Sequence, residues 1–308
     1  MDRLASMAVF LKAADLGSFT AAADATGLSA TMVGKHVQFL ESRLGVRLLN
    51  RTTRRQSLTE FGRAYYDRCR LILAESEAAD ALASDHLNTP HGTLRVTMPA
   101  LLGRMCVAPL LLELPRRFPS LQLDLAMEDR IVDLIDGGYD LSVRTGQVED
   151  RAGLMIRRLG SHRMTVCASP AYLEAHGTPR KLDDLRDHVA VAYTRPGWNH
   201  IWRFMDEQGG TIETAPPYRI RLNDLAAVAE AAAAGAGLAW IPTWLARSYL
   251  DAGTLVEVLR DQPGFTFENF AVWPQTKFLS LKVRVALDLL ASQLPSRLER
   301  FRGITVEG

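Results

Sequence analysis

The sequence predicts two unlike parts: an N-terminal all-α winged helix-turn-helix with a long linker helix, and a C-terminal α/β body. Three observations carry that reading. Glycine-punctuated helical periodicity fills the first 45 residues, an acid-free arginine cluster comes next, and strand and helix patterns alternate from residue 91 onward. A chain of 308 residues can bury more than one core, and 47% hydrophobic with 23% charged residues excludes disordered, collagenous and purely coiled-coil classes.

Leu4, Met7, Phe10, Leu11 and Ala14 recur at helical spacing until Gly17 ends the run. Ser18 is placed to cap a second helix over Phe19 to Thr26, Gly27 supplies a left-handed turn, and Leu28 plugs the angle between helices. Ser29 caps a third helix whose buried stripe is Val33, Val37, Leu40 and Leu44. Stepping ~100° per residue puts Thr31, Lys35, Gln38 and Ser42 on the opposite face. That face offers short polar groups and one cation, as a major-groove helix requires. Any surface helix has a polar face; the specificity lies in its combination with a short helix, a glycine turn and an arginine-rich hairpin.

The near-neutral net charge of +1 hides an asymmetry. Residues 43–55 hold Arg43, Arg47, Arg51, Arg54 and Arg55 and no acid, whereas residues 60–85 are predominantly acidic and residues 91–308 carry as many acids as bases. A local cationic patch beside a neutral body is the footprint of a module that touches polyanions. Val46 to Leu58 reads as two short strands around a basic tip, a wing able to lie along a phosphate backbone and send an arginine into a minor groove. Thr59 caps a helix expected to run to about Leu87, on which Ala64, Leu71, Ala74, Ala78 and Ala81 form a seam suited to a partner helix.

The body begins after His91-Gly92. Strands are expected over Thr93 to Met98, Leu121 to Met127 and Asp140 to Arg144, with helices over Leu102 to Phe118 and Ile131 to Asp136. A second set runs through the strands Arg163 to Ala168, Val189 to Tyr193 and Arg219 to Leu222, the helix Asp224 to Ala234, and the strand Leu238 to Ile241. This order predicts a mainly parallel sheet with helices on both faces.

The run SFTAAADATGLSATMVGKHVQFLESRLGVRLLNRTTRRQSLTEFG, residues 18–62, strongly resembles the N-terminal signature of LysR-type transcriptional regulators. YDLSVRTG, ASPAYLEAHGTP and AAAAGAGLAWIP in the body extend the resemblance over the whole chain. It implies a winged helix-turn-helix over residues 1–58, a dimerising linker helix over 59–90, and a bilobed, periplasmic-binding-protein-like effector domain over 91–308. Lobe I would comprise 91–161 and 267–308, lobe II 162–266, with the chain crossing back near Phe265 to Phe270 and the helix Ser280 to Leu294 completing lobe I. The partners implied are double-stranded operator DNA, a small-molecule effector, a homodimer or homotetramer, and RNA polymerase where such a protein activates. Two departures appear: Ala30 stands where the family often has Gln or Pro, and Gly34 where it often has Ser. Both remove polar groups near the bases. The DNA-facing set is Ser29, Ala30, Thr31, Met32, Gly34, Lys35 and Gln38 on the helix, with Arg51, Thr52, Arg54 and Arg55 on the wing.

Ligands in open α/β sheets bind beyond the carboxyl ends of strands, where helix N-termini present free amides. The effector candidates are therefore Pro99, Ala100, Leu101 and Leu102; Glu128; Thr145 and Gly146; Thr194; Asn223; and Pro242. Arg144 is either a carboxylate anchor or one half of a structural ion pair, and Trp198 and Trp240 either line the cleft or belong to the core. The first loop, Met98 to Leu102, offers only backbone donors, which points to a more apolar effector or one with a single anionic group.

Other classes find little support. Gly235-Ala236-Gly237 follows a helix and precedes a strand, the reverse of a dinucleotide-binding turn, and no GxSxG or P-loop appears, so no enzyme and no cofactor are expected. A nucleoid-type DNA-binding protein without an effector response is the alternative. Cys69, Cys106 and Cys167 are scattered and the seven histidines form no ligand pattern, so no metal is expected and a reducing compartment is. Leu4 to Leu11 is broken at once by Lys12 and Asp15, and Ala231 to Ala246 falls short of a membrane span, so the expected location is cytoplasmic, away from the membrane.

Overall fold

Local capping chemistry sets the first helices of the computed structural model. Asp2, Ser18 and Ser29 cap α1 (Arg3–Leu16), α2 (Phe19–Thr26) and α3 (Ala30–Leu44), each side chain accepting a backbone N–H of the first turn. Each of the three helices ends on a left-handed glycine, the residue that adopts that conformation without a Cβ penalty. Met7, Phe10, Ala13, Ala22, Val33, Val37 and Leu40 interlock as their buried core, with Leu48 and Leu49 closing it from the wing. The wing is an antiparallel pair, β1 (Leu49–Arg51) with β2 (Gln56–Leu58). Thr59 then accepts the Gly62 N–H at 2.8 Å and opens α4 (Glu60–Ser84), whose Tyr65, Tyr66, Cys69 and Leu73 pack inward at three- and four-residue spacing.

The structure describes residues 1–51, 56–84, 89–130, 132–148, 153–195, 200–276 and 278–299. The chain divides into two compact units: Met1–Thr89 with Asp133–Gly138 and Phe278–Leu281, and the remainder.

In the body, β3 (Gly92–Met98) leads into a helical stretch made of α5 (Ala100–Leu102), a π turn at Gly103–Val107, α6 (Ala108–Leu111) and α7 (Glu113–Arg117). The expected single helix widens just before Pro109, which has no N–H to return to a carbonyl four residues back. Then come β4 (Leu121–Met127), α8 (Leu134–Gly137) and β5 (Leu141–Thr145), with β3 parallel to both β4 and β5. A single strand, β6 (Leu154–Ala168), leaves this lobe and enters the next. There follow α9 (Pro170–His176), a 3-10 turn at Leu182–Asp187, β7 (Ala190–Tyr193), β8 (Trp202–Met205), β9 (Thr211–Thr214), β10 (Tyr218–Leu222), α10 (Leu225–Ala233), β11 (Ala239–Pro242), α11 (Thr243–Asp251) and β12 (Val256–Val258). The return strand β13 (Thr266–Pro274) and α12 (Leu281–Glu299) complete the first lobe.

The main sheet runs β11-β6-β13-β5-β3-β4, with β12 also on β6. It is mixed rather than mainly parallel. β6 carries the chain out of one lobe and β13 brings it back, so the two linking strands must run in opposite directions, and β13 pairs antiparallel with both β6 and β5. β7 and β10 form a separate parallel pair, and β8 and β9 a hairpin. α12 continues through Pro295 to Glu299, past the expected stop at Leu294, because Leu294 and Leu298 are both buried in the first lobe's core. The second lobe's core gathers Met164, Val166, Tyr172, Leu185, Trp202, Phe204, Trp240 and Phe267. Gly237, at φ 148°, sits where β11 begins to bridge β7, and a Cβ there would lie 2.3 Å from the Val189 carbonyl oxygen. The glycine pair that faintly suggests a nucleotide turn is thus a strand-packing device.

Candidate DNA interface and effector cleft

The outward face of α3 follows from its buried one. With Val33, Val37 and Leu40 fully enclosed, Ser29, Ala30, Thr31, Met32, Lys35 and Gln38 are exposed together on one side. Gly34 differs: a Cβ on it would point at the Phe19 ring, 3.6 Å from Cε2, so this position packs on α2 rather than facing outward. The helix is anchored from behind. Ser6 Oγ donates to the Asp2 carbonyl at 2.6 Å, which leaves the His36 Nδ1–H to donate to Ser6 Oγ at 2.9 Å. Glu41 Oε1 accepts the Leu48 and Leu49 N–H groups at 2.9 and 3.3 Å, fixing the root of the wing to the recognition helix. Neither His36 nor Glu41 announces itself in the sequence. Arg43 and Arg47 are exposed at the wing's base. Thr52, Arg54 and Arg55 lie outside the described residues, and of Arg51 only the backbone is described.

On α4, Ala64 and Ile72 are exposed and Leu71 is half-buried, on flanks turned away from the Tyr65–Cys69–Leu73 stripe. Ala74, Ala78 and Ala81 lie on the same helix, where only their backbone is described.

In the body, the strand ends behave less uniformly than sequence reasoning expects. Leu101 and Leu102 are buried and Pro242 is enclosed, so these three turn their side chains into the cores. Pro99 and Ala100 are half-buried, and the Ala100 N–H donates to Asp129 Oδ1 at 3.0 Å. The backbone donor expected for a ligand anion is therefore already matched to the chain's own carboxylate. Burial, together with the nearby Asp129 charge, pushes the Tyr193 phenol up to about 12. Asp129, just past β4, thus ties the loop after β3 to the loop after β4.

Glu128 is held by Arg130 and by the Tyr139 hydroxyl. Arg144 donates to the Val132 carbonyl at 2.9 Å and to Ser142 at 3.3 Å. Thr145 donates to Asn269 Oδ1 at 2.8 Å, which leaves the Asn269 amide N–H facing His162 Nδ1 at 3.0 Å. Burial holds the His162 imidazole near 4, so it stays neutral here. Gly146 continues from β5 at φ 89°. The Thr194 N–H donates to the Leu222 carbonyl, and Asn223 is exposed while Asp224, not Asn223, caps α10. Trp198 lies outside the described residues.

Beside Tyr193 the second lobe has a small hollow of about 20 Å³, lined by Met164, Tyr193, His200, Ile201, Trp202, Leu225 and Trp240. Trp240 belongs to the second lobe's core and also borders this hollow. Tyr193, Trp202 and Asp129 lacked a sequence signal because each is recruited by a neighbour distant in sequence. Among the described residues, no group of three or more His, Cys, Asp or Glu is placed to hold a metal, and no helix is long and apolar enough to cross a membrane.

Two family models match this arrangement: the bacterial regulatory helix-turn-helix protein of the lysR family over residues 4–63, and the LysR substrate binding domain over residues 87–295. The chain belongs to the LysR family. It is 37% identical over 291 residues to an HTH-type transcriptional regulator of Xanthomonas campestris pv. campestris, covering 93% of this chain and 84% of that protein. The HTH-type transcriptional activator AaeR of Escherichia coli is 34% identical, covering 94% and 93%. Among solved structures, the LysR-type regulator CrgA of Neisseria meningitidis aligns with a TM-score of 0.59 at 32% identity, over 94% of this chain and 98% of that one. The Vibrio cholerae virulence activator AphB aligns at 0.61 and 26%, over 96% and 100%. A LysR-type chain of this kind is a DNA-binding transcriptional regulator with an effector-binding domain, and not an enzyme.

Proposed function

We propose that this LysR-type protein acts in the cytoplasm as a homo-oligomer that reads an operator with α3, clamps its backbone with the wing, and responds to a small molecule held between its lobes. Residues 1–58 form the DNA-binding part, α4 within 59–90 pairs with a second copy, and 91–308 hold the effector, lobe I taking 91–161 and 267–308 and lobe II 162–266. Where the protein activates, RNA polymerase is a further partner. The observation that carries this reading is the exposed Ser29–Thr31–Lys35–Gln38 face beside an arginine cluster without acids. Gel shifts at fixed salt test it with two variants. Arg54→Ala weakens specific and nonspecific DNA binding alike and flattens the salt dependence, whereas Lys35→Ala loses base discrimination more than nonspecific affinity. Unchanged affinity in Arg54→Ala, or equal losses on both DNAs in Lys35→Ala, overturns the assignment.

A further inference from the structure

A missing side chain lets α4 seat an arginine against a segment that comes from the body's span of sequence. Asp133–Gly138 lies between β4 and β5, yet groups with Met1–Thr89 in one compact unit. Gly138 has φ 61°, and a Cβ built on it would stand 2.2 Å from Arg70 Nη2 and 2.5 Å from both Cζ and Nε. Near-equal distances to three guanidinium atoms mean that the plane of the group covers the place of that Cβ, and only glycine leaves room for it. The Arg70 Cζ is also 5.7 Å from the Tyr66 ring centroid, within cation–π range. Tyr66 in turn is fixed to the DNA-binding helices: its hydroxyl donates to Asp15 of α1, and its ring meets Phe10 edge-on at 6.3 Å.

The other end of the segment is tied to a strand end. Arg144, the residue before Thr145 on β5, donates to the Val132 carbonyl at 2.9 Å, and Asp133 follows directly. Asp133 then opens α8, its Oδ1 accepting the Ile135 N–H at 2.9 Å and its carbonyl the Gly137 N–H at 2.8 Å. The Gly138 N–H donates to the Ile135 carbonyl at 3.0 Å, and Leu134 is buried. These bonds make the segment a short, stiff lever, held at one end by β5 and bearing Arg70 at the other. A contact that is either seated or unseated is a two-state element, which is what passing on a conformational change requires. We propose that Arg70, seated on the Cβ-free face of Gly138, is the positioning residue through which a shift at the end of β5 reaches α4 and the DNA-binding helices. This rests on the effector-responsive reading above and gives that response its route out of the body.

The test is a pair of double-mutant cycles on the full chain. Hydrogen exchange without DNA reads the seat. Gly138→Ala speeds exchange over residues 62–73 of α4 about fivefold when Arg70 is present, and less than about twofold in Arg70→Ala. The strain of an alanine at positive φ is common to both backgrounds and cancels. Equal acceleration in both backgrounds, or none in either, overturns the seat. DNA binding reads the route, the probe being a duplex that the wild-type protein selects from a random library, with an unselected duplex as control. Arg144→Ala weakens binding to the selected duplex about fivefold when Arg70 is present and less than about twofold in Arg70→Ala. The same loss in both backgrounds, or no loss in either, overturns the route. Gly138→Ala gives the same pattern on the selected duplex, so the cycle closes even if Arg144→Ala fails to fold. A wild type that selects no sequence refutes the regulator reading itself, and the exchange cycle still decides the seat.

Discussion

Two glycines in the DNA-binding part respond to the same substitution with opposite signs. Replacing either by alanine gains about 1 kcal/mol of helix propensity. At Gly34 the new Cβ meets Phe19 Cε2 at 3.6 Å and Cδ2 at 3.8 Å, ordinary van der Waals contact, so Gly34→Ala keeps the whole gain. At Gly62 the Cβ falls 1.9 Å from the Leu48 carbonyl oxygen and 2.9 Å from Thr59 Oγ1. That carbonyl cannot withdraw cheaply. The Leu48 side chain is fully buried, its N–H is tied to Glu41, and the oxygen itself accepts the Thr59 N–H at 3.0 Å. Relief must break the Thr59 cap or that hydrogen bond, at about 1 kcal/mol each, on top of the 1–3 kcal/mol typical of overpacking. Subtracting the propensity gain leaves Gly62→Ala destabilised by roughly 1–3 kcal/mol. Hydrogen exchange by mass spectrometry on the full chain reads both, with peptides over 30–44 and 56–66. Exchange in α3 slows about fivefold in Gly34→Ala, while Gly62→Ala speeds exchange at the wing and the start of α4 at least about fivefold. Because the Gly34 Cβ points at Phe19, base discrimination is unchanged. Wild-type exchange in Gly62→Ala, or faster exchange in Gly34→Ala, refutes the packing argument.

Removing the carboxylate in Glu41→Ala leaves the Leu48 and Leu49 N–H groups without their acceptor, lowering local stability by about 2 kcal/mol and weakening operator binding with it; unaltered protection of those two amides contradicts this. The His162 imidazole, lowered to about 4 by burial, takes its proton below pH 6.5 when unfolded but only near 4 when folded. Its contribution is therefore complete above pH 6.5 and lost as pH falls toward 4, about 2 kcal/mol by pH 5, and His162→Gln flattens this slope in urea unfolding followed by tryptophan fluorescence. Glutamates introduced together at Leu71 and Ala78 on α4 split the oligomer and abolish cooperative binding to paired half-sites; an intact dimer by light scattering assigns association to the effector lobes instead.

The N-terminal part was legible in sequence because its determinants are local. Ser18, Ser29, Gly27 and Gly45 act within one turn of the helices they cap, and the wing's strands flank a basic tip of a few residues. The body was read less well wherever a distant partner decides. Nothing around Gly160 signals that β6 runs unbroken from Leu154 to Ala168, because that continuity is imposed by β13 more than a hundred residues later. The β8–β9 hairpin did carry a local signal in Asp206-Glu207-Gln208-Gly209-Gly210, a turn whose Asp206 carboxylate accepts the Gln208 and Gly210 N–H groups. Strand ends do not by themselves give the direction of their side chains: Leu101 and Leu102 turn into the core while Asp129, one residue beyond the expected Glu128, takes the backbone donor.

The way the lobes are joined dictates what a ligand must do. Two antiparallel strands, β6 and β13, cross between them along a paired register from Thr266↔Arg163 to Pro274↔Leu154, and the Thr145–Asn269–His162 chain of hydrogen bonds is buried at that crossing. Breaking a satisfied, buried polar chain is expensive, so lobe movement is a twist of the ribbon and not its rupture. Away from the ribbon, the Asp129 charge stands close enough to the Tyr193 hydroxyl to help push that phenol up. Driving a two-state equilibrium from 1:99 to 99:1 takes about 5.5 kcal/mol of differential affinity. A single neutral hydrogen bond, worth about 1 kcal/mol, falls short of this, so an effector that switches the protein must combine apolar burial with several polar contacts that exist in only one arrangement of the lobes.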